Sequence, residues 1–594
     1  MAKKSKKCNR TNIGGQAVFE GVMMRGATSM ATAVRDEEGA IRLETKRLKA
    51  PEKKNFFVKL PIVRGVVNFF NSMVGGITTL MRSAEVYGGD EPTKFDKWLS
   101  EKLKIDVMQV IIFIGVALGL ALSVLLFILS PQWASELISR LTGISQTSFA
   151  FNLIEGCLRM VIFVIYILLT SLMKDIKRTY MYHGAEHKTI SCYEEGKELT
   201  VENVRSCTRV HDRCGTTFMF FVMLVSILVF SLTNSFLGVT GFLRALVKIA
   251  FLPLVAGLSY ELLKGLAKTD WWIFYPIKLP GLLLQRITTS EPTDDMIEVA
   301  IKAFTTVLEM EADQNISTQD FITARKICDL HKDVEKILTD GGVTDTADGE
   351  WIVSICAKVN RSEISGNLKY VKPSVTEKAL KIAKERATGK PLWYIVGDTE
   401  FYGRKFVVDE RVLIPRPETE ELVYNALNCI TDQSKVLDMC TGSGAIAITI
   451  NLEKSASVTA VDVSGEALKV AKQNALALGA KVDFIESNMF EGLGEEKFHL
   501  IISNPPYVSA TDMENLQREV TFEPKIALSG GEDGLDFYRE ICKNAPNFLF
   551  ENGVLLMECG YNQAREIEKM LQNAKSVEII KDLQGVERMV KAVF

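Results

Sequence analysis

Cysteine is sparse and unpaired in this 594-residue chain: there are eleven, an odd number, and none sits in a C-x-x-C pair. That excludes a disulfide-stapled scaffold and predicts reduced thiols in a reducing compartment. Sixteen Pro and 41 Gly are too few for a collagen-like or Pro/Gly-rich disordered chain. No cleavable signal is expected, because the basic stretch Met1 to Lys7 is followed by no apolar run. Net charge is also nearly absent, at −3, but that mean hides a split. Residues 1–314 carry 37 Lys+Arg against 30 Asp+Glu, whereas residues 315–594 carry 33 against 43. The halves are different kinds of object, and the length predicts three or four domains at about 100–200 residues each.

What the first half has is long apolar runs. Val107 to Ser130 is apolar apart from Gln109 and Ser123, and at 1.5 Å per residue it spans roughly 36 Å, enough for a tilted transmembrane helix. Further spans are predicted over about 150–173 (despite Glu155 and Arg159), 217–236 and 242–266. Lys94, Lys97, Lys102 and Lys104 precede the first span, and Lys174, Lys177 and Arg178 follow the second. The connections 131–149 and 237–241 hold only Arg140. The positive-inside rule then puts the N-terminus, the loop 174–216 and everything after 267 in the cytoplasm of a multi-pass cell-membrane protein. Leu60 to Met81, broken by Arg64 and Gly65, and Pro280 to Leu284 read as interfacial segments.

Three of the five His fall in the predicted loop: His183, His187 and His211, with Glu186, Cys192, Cys207, Asp212 and Cys214 nearby. His183-Gly-Ala-Glu186-His187 spells H-x-x-E-H. On a helix, positions i and i+4 share a face, so both imidazoles can grip one Zn²⁺ while Glu186 handles a water proton, with His211 or Cys214 as a third ligand. The competing reading is an ordinary polar loop, and Gly184 is a poor helix former. The segments GGQAVFEGVMMRG (Gly14 to Gly26), YHGAEHKTI (Tyr182 to Ile190), HDRCGTTF (His211 to Phe218) and LPGLLLQRITTSEP (Leu279 to Pro292) resemble the YqhQ-like bacterial membrane family over roughly residues 8–310. That family is described as a predicted metal-dependent enzyme of unestablished activity, so the resemblance implies an architecture, not a reaction.

After Asp313 the composition turns polar, which reads as a loose connection. Residues 315–388 predict a small helical bundle. Residues 389–414 alternate as a β-hairpin linker turning at Tyr402-Gly403 or Asp409-Glu410. From 415 to 594 the pattern is strand, Gly turn, helix, repeated. Val436 to Cys440 is a short strand, and Thr441-Gly442-Ser443-Gly444 is a turn whose small residues admit a ligand to the backbone at a helix N-terminus. Asp462, near the end of the next strand, is placed to hold ribose hydroxyls. This alternation predicts a doubly wound parallel sheet with ligands at the C-terminal ends of its strands. The fold class is therefore multidomain: an α-helical polytopic membrane domain, a small helical bundle and a Rossmann-like α/β domain.

The Gly turn alone does not separate NAD from S-adenosylmethionine. Asn504-Pro505-Pro506-Tyr507, directly after the fourth strand, does. A planar amide or amine nitrogen is a poor nucleophile because its lone pair is delocalised. The Asn504 side-chain oxygen and the Pro505 carbonyl can each accept one N–H, fixing the nitrogen against a sulfonium methyl, while Tyr507 covers the flat group.

The segments KPLWYIVGDTEFYGRKFVVDERVLIPRPETEELV (Lys390 to Val423), VLDMCTGSGAIAI (Val436 to Ile448), SNPPYV (Ser503 to Val508) and FEPKIALSGGEDGLDFYREI (Phe522 to Ile541) resemble the HemK/PrmC family of peptide chain release factor glutamine N(5)-methyltransferases. The likeness covers about 315–594 and assigns substrate recognition to the helical bundle of 315–388. It implies methylation of the Gln in the GGQ motif of class 1 release factors, using S-adenosylmethionine. It further implies that Asp438, Cys440, Thr441, Gly442, Ser443, Gly444, Asp462, Met489 and Asn504 bind the cofactor. Asn504, Pro505, Pro506 and Tyr507 would bind the glutamine amide, with Asn504, Pro505 and Tyr507 catalytic, and Pro415 to Glu420 would line the pocket. The family usually has Gly at position 440 and often an aromatic at 489.

Three alternatives stay open on the residues: another protein glutamine, a nucleic-acid amine, or a membrane enzyme or scaffold tethering a methyltransferase. The acidic balance of the second half argues against nucleic acid. Gly14-Gly15-Gln16 is itself a GGQ, which raises self-methylation.

Overall fold

The computed structural model describes residues 11–48, 60–87, 107–146, 148–211, 214–267, 275–345 and 347–594. Lys94, Lys97, Lys102, Lys104 and Asp212, used in the sequence argument, lie outside the described residues. The chain divides into two compact units, residues 1–328 with 366–377, and residues 329–365 with 378–594.

The first unit opens with a sheet that hydropathy did not announce. Strands β1 (Gly14–Val18), β2 (Gly21–Arg25), β3 (Ser29–Arg35) and β4 (Ile41–Arg47) form an antiparallel meander in the order 1-2-3-4. The β3–β4 turn is built by Asp36, whose carboxylate accepts from the Glu38 and Ala40 amides at 3.0 and 2.9 Å, and by Gly39 at φ +85°. Gln16 lies on β1 against helix α1 (Val63–Glu85), at 2.8 Å from where a Cβ on Gly76 would stand. This GGQ is therefore a packed strand and not a presented loop. The polar stretch after Asp313 is also not loose. Arg47 donates to the carbonyls of Met310, Asp313 and Ile316, and Gln319 exchanges backbone bonds with Thr45 on β4. A two-residue ladder of β5 (Arg325–Lys326) with β6 (Tyr370–Val371) follows.

Four helical runs are long and apolar enough to cross a membrane. The first is continuous: α2 (Val107–Val124), a π-helical turn at Leu125–Leu129, and α3 (Ser130–Thr142). The helix was expected to end near Ser130. It goes on because the wide π-turn and the first-turn position of Pro131 together spare the hydrogen bond that proline cannot make. The others are α4 (Phe149–Ser171), α7 (Gly215–Leu237) and α8 (Gly241–Ala267). Between them lie α5 (Lys174–Glu194) and α6 (Val201–Arg205), and after them α9 (Tyr275–Thr288) and α10 (Asp294–Ala312). Buried side chains of α5 and α10 pack on Val22, Met24, Ala31 and Ala33 of the sheet. On α1, Gly65 meets the α8 backbone at Gly257, where a Cβ would come within 2.9 Å, and Arg64 pairs with Glu261. Phe70, Met73, Val74, Ile77 and Leu80 remain exposed along one face of α1, the pattern of an interfacial helix.

The charges that interrupt the apolar runs find one another. Glu155 on α4 accepts from Arg159 at 2.7 Å, from Lys248 on α8 at 2.6 Å, and from Arg244. All four are at most 5% exposed. Asn152 accepts from Arg244 at 2.8 Å and Gln132 from Lys248 at 3.2 Å, and Arg159 donates further to the Phe127 carbonyl and Ser226.

In the second unit, α11 (Ile327–Asp340), α12 (Ala347–Ala357), α13 (Pro373–Arg386) and α14 (Leu392–Val396) precede a hairpin of β7 (Asp398–Phe401) and β8 (Arg404–Val407), which turns at Tyr402-Gly403. The boundary between units falls inside the stretch expected to be one bundle. After α15 (Pro417–Leu427) come β9 (Lys435–Met439), α16 (Ala445–Lys454), β10 (Ser457–Asp462), α17 (Gly465–Leu478), β11 (Val482–Glu486) and β12 (Phe498–Ser503). The chain ends with α18 (Asp536–Phe548), β13 (Leu549–Glu558), α19 (Ala564–Met570), β14 (Ser576–Lys581) and β15 (Glu587–Val593). The seven-stranded order is 11-10-9-12-13-15-14. Strands β9 to β13 are parallel, as the alternation required. The closing hairpin inserts β15 antiparallel to both neighbours, because a tight turn at Asp582–Val586 replaces a crossover helix.

Removing Glu155 leaves three cations in apolar surroundings, a loss on the order of 3–5 kcal/mol. Glu155→Ala should sharply lower the melting temperature of the detergent-solubilised chain, whereas Arg539→Ala, which breaks an exposed pair, should leave it almost unchanged. Equal melting temperatures for the two variants would contradict this account of the cluster.

Candidate active site

The C-terminal ends of β9, β10 and β12 converge on a cleft lined by Cys440, Gly442, Asp462, Met489, Asn504 and Pro506, among others. This is the crevice at which a parallel sheet holds a ligand. Gly442 has φ +56°, and a Cβ there would meet nothing within 4 Å. Its absence leaves the backbone open to a cofactor. Gly444, at φ +81°, is needed for packing, since a Cβ would stand 2.9 Å from Ile448 and 3.1 Å from Ala471. Asp462 accepts from the Gly442 and Ser464 amides at 2.8 and 2.9 Å, which fixes its carboxylate at the mouth of the strand.

Asp438 sits beneath the loop, not in the cleft. Its Oδ2 accepts from the Thr441 hydroxyl at 2.6 Å and from the Ala447 amide at 3.1 Å, and its Oδ1 has no partner among the described residues. Thr441, Ser443 and Gly444 likewise shape the loop from behind. Cys440 and Met489 do face the cleft, both with left-handed backbone, φ +63° and +51°. Position 440 thus holds a side chain where a glycine would sit without strain. Met489 is held in its turn by the Ser487 hydroxyl, which donates to its carbonyl at 3.0 Å.

The N-P-P-Y loop is braced from three sides. The Ser503 hydroxyl donates to the Met439 carbonyl at 2.7 Å, the Val508 amide to Leu528 at 2.8 Å, and the Gln563 side chain to the Tyr507 carbonyl at 2.9 Å. Pro505 and Pro506 are buried, and Tyr507 is half-buried. The Asn504 amide group donates to the Thr419 hydroxyl at 3.2 Å, and Thr419 donates in turn to Glu558 at 2.8 Å. With its N–H committed there, Asn504 is left with its Oδ1 as the acceptor for an incoming N–H.

The Pro415 to Glu420 segment, expected to line the pocket, stands behind it. Arg416 pairs with Glu523, Thr419 orients Asn504, and Glu420 accepts from the Tyr402 amide. Thr419, Glu558 and Gln563 were not found by sequence reasoning. Thr419 lay inside a segment that had been singled out, while Glu558 and Gln563 carried no motif.

Burial pushes the Asp438 and Glu558 carboxyls up to about 7. In the unfolded chain they titrate near 3.8 and 4.5. Between those values and about 7 the folded chain holds protons that the unfolded chain has released. Their contribution to stability is therefore complete at the acid end and is lost as pH rises through about 7. The methyltransferase unit should melt at lower temperature as pH is raised from about 5 to about 8. Glu558→Gln should flatten that slope by on the order of 1–3 kcal/mol, as read by melting at each pH.

In the first unit α5 carries His183, Glu186 and His187 on one side, and the ligating atoms of His183, His187 and Cys214 all lie within 4.8 Å of one another. His211, expected as a ligand, is not among these three; it lines the same cleft, with its Nε2 3.3 Å from Glu194.

Residues 60–310 match the family model described as "Protein of unknown function (DUF1385)", and residues 419–532 match the model for a methyltransferase small domain. The release factor glutamine methyltransferase of Bacillus cereus is 38% identical over 280 residues, 45% of this chain and 99% of that protein. That of Fusobacterium nucleatum is 40% identical over 276 residues, 44% of this chain and 77% of that protein. The uncharacterized protein YqhQ of Bacillus subtilis is 34% identical over 302 residues, 50% of this chain and 93% of that protein. The chain thus joins two families end to end: its N-terminal half belongs to that of YqhQ, and its C-terminal half, an S-adenosylmethionine-dependent methyltransferase, to that of the release factor glutamine methyltransferases.

Proposed function

We propose that the C-terminal half methylates the side-chain amide nitrogen of the glutamine in the GGQ motif of class 1 peptide chain release factors. The observation that carries this reading is the hold of Thr419 and Glu558 on the Asn504 side-chain N–H, which leaves its oxygen as an acceptor in a residue that lines the cleft. S-adenosylmethionine would supply an electrophilic methyl from the side of Gly442 and Asp462, with Met489 against its adenine. Asn504 Oδ1 and the Pro505 carbonyl each accept one N–H of the glutamine amide, and Tyr507 covers its plane. Held in this way, the nitrogen gives its lone pair to the methyl carbon, the C–S pair returns to sulfur, and the surplus N–H proton leaves to water afterwards. No strong base is required. A protein substrate is favoured over a nucleic acid by the acidic balance of residues 315–594. The names of the matched relatives favour a release factor over other protein glutamines. The Lys174, Lys177 and Arg178 cluster, set against the lone Arg140, supports a membrane-anchored enzyme whose catalytic half faces the cytoplasm.

The test uses the full-length chain in detergent with cofactor and a class 1 release factor, and reads the tryptic peptide by mass. A gain of one methyl on the GGQ glutamine is expected, with none on a release factor carrying alanine there. Absence of that gain while cofactor still binds would sink the substrate assignment. Asn504→Ala should lower kcat by about 10²–10³-fold. Thr419→Val should lower kcat about tenfold or more with cofactor affinity unchanged, and Thr419→Ser should restore it. Equal kcat for all three Thr419 forms would show that the threonine does not orient Asn504.

A further inference from the structure

The histidines of α5 are arranged in a way that a polar loop does not require. His183 Nδ1 lies 3.0 Å from the Thr288 carbonyl and His187 Nδ1 lies 2.6 Å from the Arg209 carbonyl. A carbonyl can only accept, so both Nδ1 atoms carry the hydrogen and both Nε2 atoms present a bare lone pair. This is the outer support that metal-binding imidazoles use, with the tautomer and the ring plane fixed by a backbone oxygen. The rings stand 4.5 Å apart, and His183 Nε2 is 3.2 Å from Cys214 Sγ. Cys214 caps the N-terminus of α7, where the Thr216 amide and hydroxyl approach its sulfur at 3.5 and 3.1 Å. Two nitrogens and a sulfur at this spacing suit tetrahedral zinc, with Zn–N about 2.0–2.1 Å and Zn–S about 2.3 Å.

A fourth group completes the argument. Glu186 is 4% exposed, one of its oxygens accepts from the Gly15 amide, and the other has no partner among the described residues. That free oxygen lies 4.0 Å from His183 Nε2. A Cβ at Gly15 would come within 2.7 Å of the Glu186 side chain, so the glycine of β1 is what lets the carboxylate sit there. All four groups line one cleft with Gln16, Ser72 and Met219. His211 lines the same cleft, its ring centroid 6.0 Å from that of His187, but its backbone is clamped by Gln285 at 2.9 Å in both directions and its Nε2 lies 3.3 Å from Glu194.

We propose that His183, His187 and Cys214 form a zinc site with its fourth position open to this cleft, and that Glu186 is placed to accept a proton from water bound there. Three protein ligands with one open position distinguish a catalytic zinc from a closed structural one. The site owes nothing to the methyltransferase reading.

The experiment takes the full-length chain in detergent, measures bound zinc, removes it with a chelator and reloads Zn²⁺ or Co²⁺. About one metal per chain is expected. Metal affinity should fall at least tenfold in His187→Ala and Cys214→Ser, and should hold in His211→Ala and Glu186→Gln. The cobalt form should show a sulfur-to-metal charge-transfer band, absent in Cys214→Ser, and added azide should shift the cobalt spectrum through the open position. Unchanged affinity in both ligand variants, or loss in His211→Ala with retention in Cys214→Ser, overturns the ligand set. Should a ligand variant fail to fold, the wild-type cobalt spectrum decides alone: no thiolate band refutes Cys214, and no response to azide refutes the open position.

Discussion

The hydrogen bonds that Asp438 accepts from Thr441 and Ala447 hold the first loop of the methyltransferase in place, and the cofactor cleft depends on them. They pull the turn down onto β9, which frees Gly442 to leave the cleft wall bare and brings its amide to Asp462. A second buried carboxylate, Glu558, does the same for the opposite wall through Thr419 and Asn504. Both acids lie under the cleft, each accepts from neutral donors, and burial pushes both carboxyls up to about 7. The site is thus built from two submerged acids that shape loops and a set of uncharged groups that line the cleft. This division fits the proposed transfer to an amide nitrogen, in which no base is wanted.

Much of this was legible from the chain. Long apolar runs mark the spans, and the strand–Gly turn–helix repeats mark the sheet, because each pattern answers to one dominant constraint: removal of a whole segment from water. The motif residues Cys440, Gly442, Asp462, Met489, Asn504 and Pro506 lie on one cleft for the same reason, being the ends of adjacent parallel strands. What escaped was whatever depends on pairing across long separations. Thr419 and Glu558 are 139 residues apart and meet only when α15 packs on β13. The N-terminal meander escaped for another reason. Its strands are short and buried by α5 and α10, so their signal was weak alternation such as Ile41, Leu43 and Thr45 after a turn at Asp36 to Gly39. Asp438 was read as a cofactor ligand because motif position alone does not separate a residue that touches a ligand from one that holds the loop that does.

The two halves also differ in how they handle charge. In the methyltransferase, Asp438 and Glu558 are buried among neutral donors, while buried Glu523 and Asp348 are paired with Arg416 and Arg386. The membrane half surrounds its buried Glu155 with cations, and its α5 histidines have their ring hydrogens absorbed by carbonyls. In each case the backbone supplies the fixed reference, and the side chains are tuned against it.

The Glu155 cluster has a consequence for how this chain can change over generations. One carboxylate serves Arg159, Arg244 and Lys248, so the four positions are bound by a shared balance of charge in a medium that does not tolerate surplus. A neutral residue at 155 is acceptable only once cations on two different helices have gone, and a lost cation is tolerated only while the others are still served. Change at these sites is therefore coupled: position 155 can lose its charge only together with the cations of α4 and α8.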